Sequence, residues 1–179
     1  FRRLFDSLGL PPQELDTLAE QLRRANQGTL TGAGTLPPEA AVPLVPTRQA
    51  DLGWLGLTPG TVQTLAPHVS LLPGRLPVNL NTASTPVLQA ALGLEASQVQ
   101  ALLARRQSQP FANLAATGLK NPDAQVLAVN SHFFEVRMAL RMRPGAPVRL
   151  VEHALLQRDG VDVRTLWQRR ALPAEETKP

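Results

Sequence analysis

The tripeptide Leu-Gly-Leu recurs three times in this 179-residue chain, each time at the start of an amphipathic segment. The copies begin at Leu8, Leu55 and Leu92. In each copy an aliphatic residue follows five positions after the second leucine, and another leucine follows three positions later. This spacing predicts a turn and then a helix with one apolar face. Three copies in the same register predict repeated helix-turn-helix packing.

The third copy lies in the block from Val78 to Leu114, which has the features of a compact helix-hairpin-helix module. A short extended run opens the block, and Thr85 followed by Pro86 predicts a helix N-cap and a first-turn proline. Gly93 ends this helix. The apolar stripe of the second predicted helix consists of Val99, Leu102 and Leu103. We interpret the block as two short helices joined by a glycine turn.

The apolar period changes from about Val129 onward. Apolar residues alternate with polar ones from Phe134 to Met142, which predicts a strand with one buried and one solvated face. The elements predicted to follow are a break at Pro144-Gly145, a second strand over Val148–Arg158, a type I′ turn at Asp159-Gly160 and a third strand over Val161–Arg170. The expected product is an antiparallel three-stranded meander.

These patterns predict an α+β protein with two parts. The first is a helical domain over residues 1–128, with a proline- and glycine-rich loop over 27–49, and the second is the sheet over 129–170. Residues 171–179 are polar and bounded by proline, which predicts a disordered tail. Because helical apolar spacing is already present at Phe1, we expect the natural protein to be longer at its N-terminus.

The reactive residue types give little support to catalysis. The chain has no cysteine, so disulfides and thiolate chemistry are excluded. The three histidines, His68, His132 and His153, lie in different predicted elements, and the fourteen carboxylates form no evident facing pair. We therefore predict no enzyme activity, no cofactor and no metal site. The sequence does not indicate which residues contact partners.

Positive charge is concentrated in the last quarter of the chain. The net charge is +4, and eight arginines lie between Arg137 and Arg170, where only Glu135, just before this range, and Glu152, Asp159 and Asp162 within it oppose them. Charge on a strand discourages edge-to-edge pairing with other chains, so we interpret these arginines as a solvated face. A nucleic-acid surface is the less favoured interpretation. Trp167 is expected to pack in the core or over a sheet edge.

Two segments of the chain, Leu71–Ser84 and Ser131–Leu140, carry the most specific resemblance to a known protein family. The first resembles the leucine-proline and Asn-x-Asn-Thr-Ala stretch of the minor pseudopilin K family of bacterial type II secretion systems, and the second resembles its Ser-x-x-Phe strand. The resemblance covers nearly the whole chain. It implies a large helical domain inserted into a pilin-type fold, with a membrane-spanning helix and the first strands of the sheet preceding Phe1.

The resemblance also implies a structural function. Members of this family lie at the tip of the periplasmic pseudopilus, promote its assembly and help to export folded proteins from the periplasm. The implied partners are minor pseudopilins I and J, with the major pseudopilin as a further candidate, and no nucleic acid. The implied location is the bacterial inner membrane, with the soluble domain in the periplasm.

The chain departs from this family after its first long helix. Many relatives have an acidic Asp-Trp-x-Asp-x-Asp-like stretch there that binds calcium, whereas this chain reads AEQLRRANQGTLTGAG from Ala19 to Gly34. Glu20 is the one carboxylate in that stretch. Because calcium takes about six to eight oxygen ligands, we predict that the family's calcium site is absent or degenerate.

The alternative function is DNA binding, as in helix-hairpin-helix proteins of the DNA-uptake type. Their hairpin has the form Gly-aliphatic-Gly, whose backbone amides contact phosphate. The third position of the three repeats is instead Pro11, Thr58 and Glu95. The sequence therefore favours protein packing over phosphate binding. A generic adaptor that binds partner helices through its helical part is a third possibility.

Overall fold

The computed structural model describes residues 1–31, 42–141, 143–144 and 148–171. The α-helices are α1 (Arg2–Ser7), α2 (Pro12–Thr31), α3 (Pro59–Leu65), α4 (Thr85–Leu92) and α5 (Ala96–Ser108), with 3₁₀ helices at Gln49–Leu55 and Ala115–Thr117. The strands are β1 (Val78–Asn79), β2 (Leu127–Ala128), β3 (Phe133–Arg141), β4 (Val148–Asp159) and β5 (Asp162–Ala171). The α+β class is confirmed. The chain divides into a helical unit, Phe1–Val129, and a sheet unit, Asn130–Pro179.

The helical unit buries two clusters of apolar side chains. The first joins α1, α2, the first 3₁₀ helix and α3, and includes Phe5, Leu55 and Leu65. The second joins α4 and α5 to the chain around β2, and consists of Leu80, Leu88, Val99, Leu102, Phe111 and Leu127. The recurrent apolar positions of the three repeats belong to these clusters, where most are buried and the rest are partly buried, namely Leu8, Leu10, Val62, Leu92 and Leu94. Helix periodicity therefore sets the core, as expected for amphipathic helices.

A glycine with a left-handed backbone lies in each repeat. The φ angles are +65° at Gly9, +96° at Gly56 and +64° at Gly93. Each glycine comes just after one helix ends, and three residues later another helix begins. Glycine suits these positions because a side chain disfavours positive φ. Assignment of the repeats to the helix-hairpin-helix class stays a prediction.

Two helix boundaries differ from the predicted ones. Ser84, one residue before the expected Thr85, is the N-cap of α4. Helix α2 continues to Thr31, so the predicted loop over 27–49 was wrong at its start. Gly28 is a weak helix breaker in the interior of a long helix, since it costs about 1 kcal/mol relative to alanine. Residues 32–41 of the predicted loop, with part of its glycine-rich stretch, lie outside the described residues.

The sheet unit contains the predicted antiparallel sheet in the order β3-β4-β5. Its register pairs Phe134 with Leu156 and Val136 with Ala154. The predicted type I′ turn at Asp159-Gly160 was wrong, because Asp159 pairs with Asp162 and leaves Gly160-Val161 as the two-residue loop. Gly160 has a φ of +60°, but among the described non-glycine residues only Asn121 has a positive φ. A type I′ turn needs positive φ at both loop positions, which β-branched Val161 disfavours.

Several predictions concern the ends of these strands. Ala171 is the last residue of β5, so the predicted disordered tail was wrong at its first position. Residues 172–179 lie outside the described residues, as do Met142 and Gly145. Across the described ranges, we find no helix with the length and apolar character needed to span a bilayer.

Candidate interaction surface

Asn81 connects three distant parts of the helical unit through its side chain. Its Oδ1 accepts the amide of Phe111 at 2.9 Å, and its Nδ2 donates to the carbonyl of Phe111 at 2.9 Å. The same Nδ2 donates to the carbonyl of Val129 at 2.8 Å, and Asn79 Oδ1 accepts the Asn81 amide at 3.0 Å. We call Asn81 and these backbone partners the asparagine joint. It uses the polar groups of the Asn-x-Asn stretch for internal packing.

Two arginines of α5 reinforce this region. Arg106 Nη1 donates to the carbonyls of Leu80 at 2.9 Å and Ala83 at 2.8 Å, so it holds the chain that leads into α4. Arg105 donates to the carbonyls of Thr117 at 2.7 Å and Ala116 at 2.9 Å, at the end of the second 3₁₀ helix. Both side chains therefore donate to backbone carbonyls near the ends of helices. The basic end of the second hairpin helix is thus engaged within the protein.

A carboxylate lies at the start of each helix that follows a left-handed glycine. Glu14 is in the first turn of α2, and it also accepts the amide of Thr58, the N-cap of α3, at 3.0 Å. At α5 the N-cap is Glu95, which forms a capping box with Gln98. A phosphate-binding hairpin needs these helix starts for the anion. Their carboxylates repel a phosphate, so the geometry favours packing over DNA binding.

Among the described residues of the helical unit, Asp51 carries a buried carboxylate and is 2% exposed. Its oxygens accept the amides of Thr47 and Arg48 at 3.1 and 3.0 Å and form an ion pair with the Arg48 guanidinium at 3.1 Å. Burial by itself raises the pKa of Asp51, but these hydrogen bonds outweigh it and lower the pKa below its ordinary value. Asp51 therefore caps the first 3₁₀ helix and has no sign of a catalytic role.

The three histidines remain in separate places. His68 Nδ1 lies 2.9 Å from Ser84 Oγ, and His132 Nδ1 lies 3.2 Å from the carbonyl of Arg158. His153 is on β4. No group of three metal-ligating side chains occurs in the part of the chain that the structure describes. Glu20 forms an ion pair with Arg23, and the absence of a calcium site stays a prediction.

The sheet unit presents an apolar surface on the edge strand β3. Alternation puts Phe134, Val136, Met138 and Leu140 on one face, where the register adds Leu156, Ala154 and Glu152 of β4; we call the apolar side chains of this face the apolar sheet face. Exposure reaches 41% at Phe134, 51% at Met138 and 55% at Leu140. The prediction that this face of β3 is buried was therefore wrong. An edge strand lacks a neighbour on one side, and a three-stranded sheet covers little of its own surface.

The charged residues of the sheet lie mostly at its surface. The arginines at 137, 141, 158, 164, 169 and 170 are exposed. Arg170 forms an ion pair with Glu152 at 2.8 Å and lowers the pKa of that carboxyl through this hydrogen bond. Trp167 is half-buried on β5, in register with Leu155. This distribution is typical of a solvated sheet with protected edges.

Comparison with protein families identifies the segment that contains the asparagine joint and the start of β3. It matches type II secretion system protein K, over residues 78–137. The resemblance noted from Leu71–Ser84 and Ser131–Leu140 is thereby confirmed. The matched family is a structural component of a secretion system. None of the curated proteins compared with the chain matches it.

The protein K match runs from β1 through α4, α5 and β2 to Arg137 within β3. The sequence pointed to its Asn-x-Asn stretch only through family likeness and gave Asn81 no role. Two asparagines just before a helix, in an otherwise apolar block, were the available signal. Their partners could not be identified, because Phe111 and Val129 are 30 and 48 residues away.

Proposed function

We propose that this chain is the periplasmic part of a minor pseudopilin at the tip of the type II secretion pseudopilus, where it promotes assembly and export of folded proteins. The observation that carries the proposal is the protein K match over residues 78–137. The asparagine joint within that match and the carboxylates at the helix starts favour a packed structural domain over a phosphate-binding one. The expected role is mechanical and needs no catalysis.

The apolar sheet face supports the pilin-type part of this proposal. Half-exposed Met138 and Leu140 form an apolar strip that water solvates poorly, and exposed apolar strips mark contact surfaces. We propose that this face packs against an N-terminal apolar helix that anchors the protein in the inner membrane. Minor pseudopilins I and J, with the major pseudopilin as a further candidate, would then contact the assembled pilin-type part.

Secretion in a bacterium that encodes this protein tests the proposal. Deletion of the gene should leave folded exoproteins in the periplasm, and the full-length wild-type gene should restore their export. The double change Met138→Glu and Leu140→Glu should fail to restore export, because it places charge on the apolar sheet face. Val161→Glu is the matched control, since Val161 is 96% exposed in the β4–β5 loop. Normal export in the deletion strain would refute the proposed function.

Direct binding gives a second measurement. We expect the protein to co-elute with the periplasmic domains of minor pseudopilins I and J in size-exclusion chromatography. A salt-dependent shift of duplex DNA at micromolar protein, with no co-elution, would instead favour the DNA-binding alternative. Titration calorimetry with calcium is expected to show no stoichiometric micromolar binding, because the stretch after Ala19 has one carboxylate.

A further inference from the structure

The helical unit contains an open groove that the proposed function does not use. It lies between the α4–α5 turn, α5 and the segment over residues 117–127, and its volume is about 730 Å³. Sites for ligands and bound side chains usually measure about 300–1,000 Å³. The apolar walls consist mainly of Leu92, Leu94, Ala101, Leu119, Pro122 and Val126. We call this site the α5 groove.

The floor of the α5 groove is part of the second core cluster. Leu102 and Leu127 line the groove and are 4% and 6% exposed, so their positions are fixed by packing on the side away from it. Val126, at the rim, is 38% exposed. A fixed apolar floor with an exposed apolar rim suits a bound apolar side chain, which would bury the rim without reorganising the core.

Two cations lie along the same groove. The Arg105 guanidinium is held by the carbonyls of Thr117 and Ala116 and lies 5.7 Å from the ring centre of Phe111. Lys120 is exposed and has no ion pair with any described residue. The one carboxylate in the lining, on Asp123, accepts the amide of Gln125 at 2.8 Å within its own turn. The groove therefore combines apolar walls with an excess of positive charge.

We propose that the α5 groove binds an apolar segment of a partner protein that carries a carboxylate among its apolar side chains. The walls remove apolar side chains from water, and Lys120 and Arg105 attract the carboxylate. The same two cations disfavour a purely cationic segment, because Asp123 is the one carboxylate in the lining and accepts a hydrogen bond within its own turn. A nucleic acid fits poorly, because the lining contains no aromatic side chain on which a base could stack. The inference rests on the shape and charge of this lining and does not use the pseudopilus assignment.

Selection from a random peptide library displayed on phage, against the purified full chain, tests this proposal. We expect the enriched peptides to combine apolar residues with Asp or Glu at a fixed spacing. Fluorescence anisotropy with the best synthetic peptide then measures affinity for the unmodified chain and for the variants. Ala101→Asp, which puts a carboxylate in the groove, should weaken binding on the order of tenfold or more. Ala104→Asp is its matched control, since Ala104 is exposed on the same helix outside the groove lining.

A charge exchange tests the electrostatic part. Lys120→Glu should weaken the acidic peptide on the order of tenfold, because it removes an attraction and adds a repulsion. It should also improve binding of the same peptide with its acidic residue changed to lysine. Arg75→Glu is the control at an exposed cation outside the lining.

Three outcomes would overturn the proposal. In the first, the selection enriches no peptide. In the second, the peptides bind the Ala101→Asp variant as tightly as the unmodified chain. In the third, the Lys120→Glu substitution leaves the affinity of the peptides unchanged. Far-UV circular dichroism of each variant shows that the fold is intact. Secretion by the Met138→Glu, Leu140→Glu protein is a separate readout, so failure of this proposal and of the proposed function can be distinguished.

Discussion

The helical unit and the sheet unit differ in how far they bury side chains with similar apolar periodicity. In the helical unit, Phe5, Leu65 and Leu88 are fully buried, whereas Met138 and Leu140 on β3 keep about half of their surface exposed. Helices close on one another within a unit and can enclose a core by themselves. A three-stranded sheet buries its faces only where another layer covers them. The comparison indicates that the helical unit is stabilised by its own core, while the sheet unit offers apolar surface for contact.

The largest expected effect is a loss of stability on substitution of a buried phenylalanine, and a comparison of two phenylalanines tests the difference between the units. Phe5→Ala should destabilise the protein by about 3–5 kcal/mol, because a fully buried ring leaves a cavity. Phe134→Ala should cost about 1 kcal/mol or less, since that ring is 41% exposed and contacts Arg158 by a cation–π interaction. Urea denaturation followed by far-UV circular dichroism measures both. Equal losses would remove the distinction between the units.

The next effect tests whether polar contacts contribute to the rigidity of the helical unit. Asn81→Ala should cost about 2–3 kcal/mol, because it leaves the Phe111 amide and two carbonyls without their partner. Asn113→Ala is the control, and should cost less than about 1 kcal/mol because Asn113 makes one exposed hydrogen bond, to the Ala116 amide. Denaturant midpoints report both. A loss at Asn81 no larger than at Asn113 would show that the asparagine joint is dispensable.

A smaller effect is expected at the repeated turns. Gly93→Ala should destabilise by about 1–2 kcal/mol, because a side chain there meets positive φ. Its Cβ would also lie 2.7 Å from the flexible Arg3 guanidinium. Gly60→Ala, inside α3 with no atom within 4 Å of the new Cβ, should be neutral or stabilising. Thermal unfolding of the two variants would show whether the turns of the helical unit require glycine.

The smallest expected effect is a pH dependence that contrasts the buried carboxylate of Asp51 with the half-buried carboxylate of Glu152. Burial raises the pKa of Asp51, but hydrogen bonds from Thr47 and Arg48 lower it further, so that the pKa in the folded protein lies below its ordinary value. Its contribution to stability is therefore complete above the unfolded pKa and is lost as pH falls through the folded pKa. Asp51→Asn should abolish this loss in acid. Glu152→Gln in the sheet unit should change the acid profile less, because Glu152 pairs with exposed Arg170 in solvent. Urea midpoints between neutral pH and pH 3 measure both.

Local patterns in the sequence were sufficient to predict much of the fold. The α+β class and the antiparallel order of β3, β4 and β5 follow from apolar periods of 3.6 and 2 residues. The predictions were wrong at positions where two local backbone conformations have similar energies. Gly28 permits a helix to continue, and Asp159-Gly160-Val161 allows two positions for the same two-residue loop.

The candidate interaction surfaces could be predicted much less well. Periodicity identified the apolar alternation of β3 but not its exposure, which depends on what covers the sheet. The α5 groove joins residues of α5 to Lys120 and Val126 across a turn that carries no sequence signature. The family resemblance identified the relevant segment without giving its contacts.

The sequence by itself determined the elements of this protein, because helix and strand periods, turn residues and the Leu-Gly-Leu repeats act over a few positions. It also indicated the relation to protein K, through residues now matched over 78–137. Tertiary structure alone decided which side chains those elements bury and which they leave exposed. Asn81 forms its joint only when Phe111 and Val129 are folded beside it, and the apolar side chains of β3 stay half exposed only because no other part of the described chain covers them. Contacts between distant residues depend on how the whole chain packs, which no local pattern encodes.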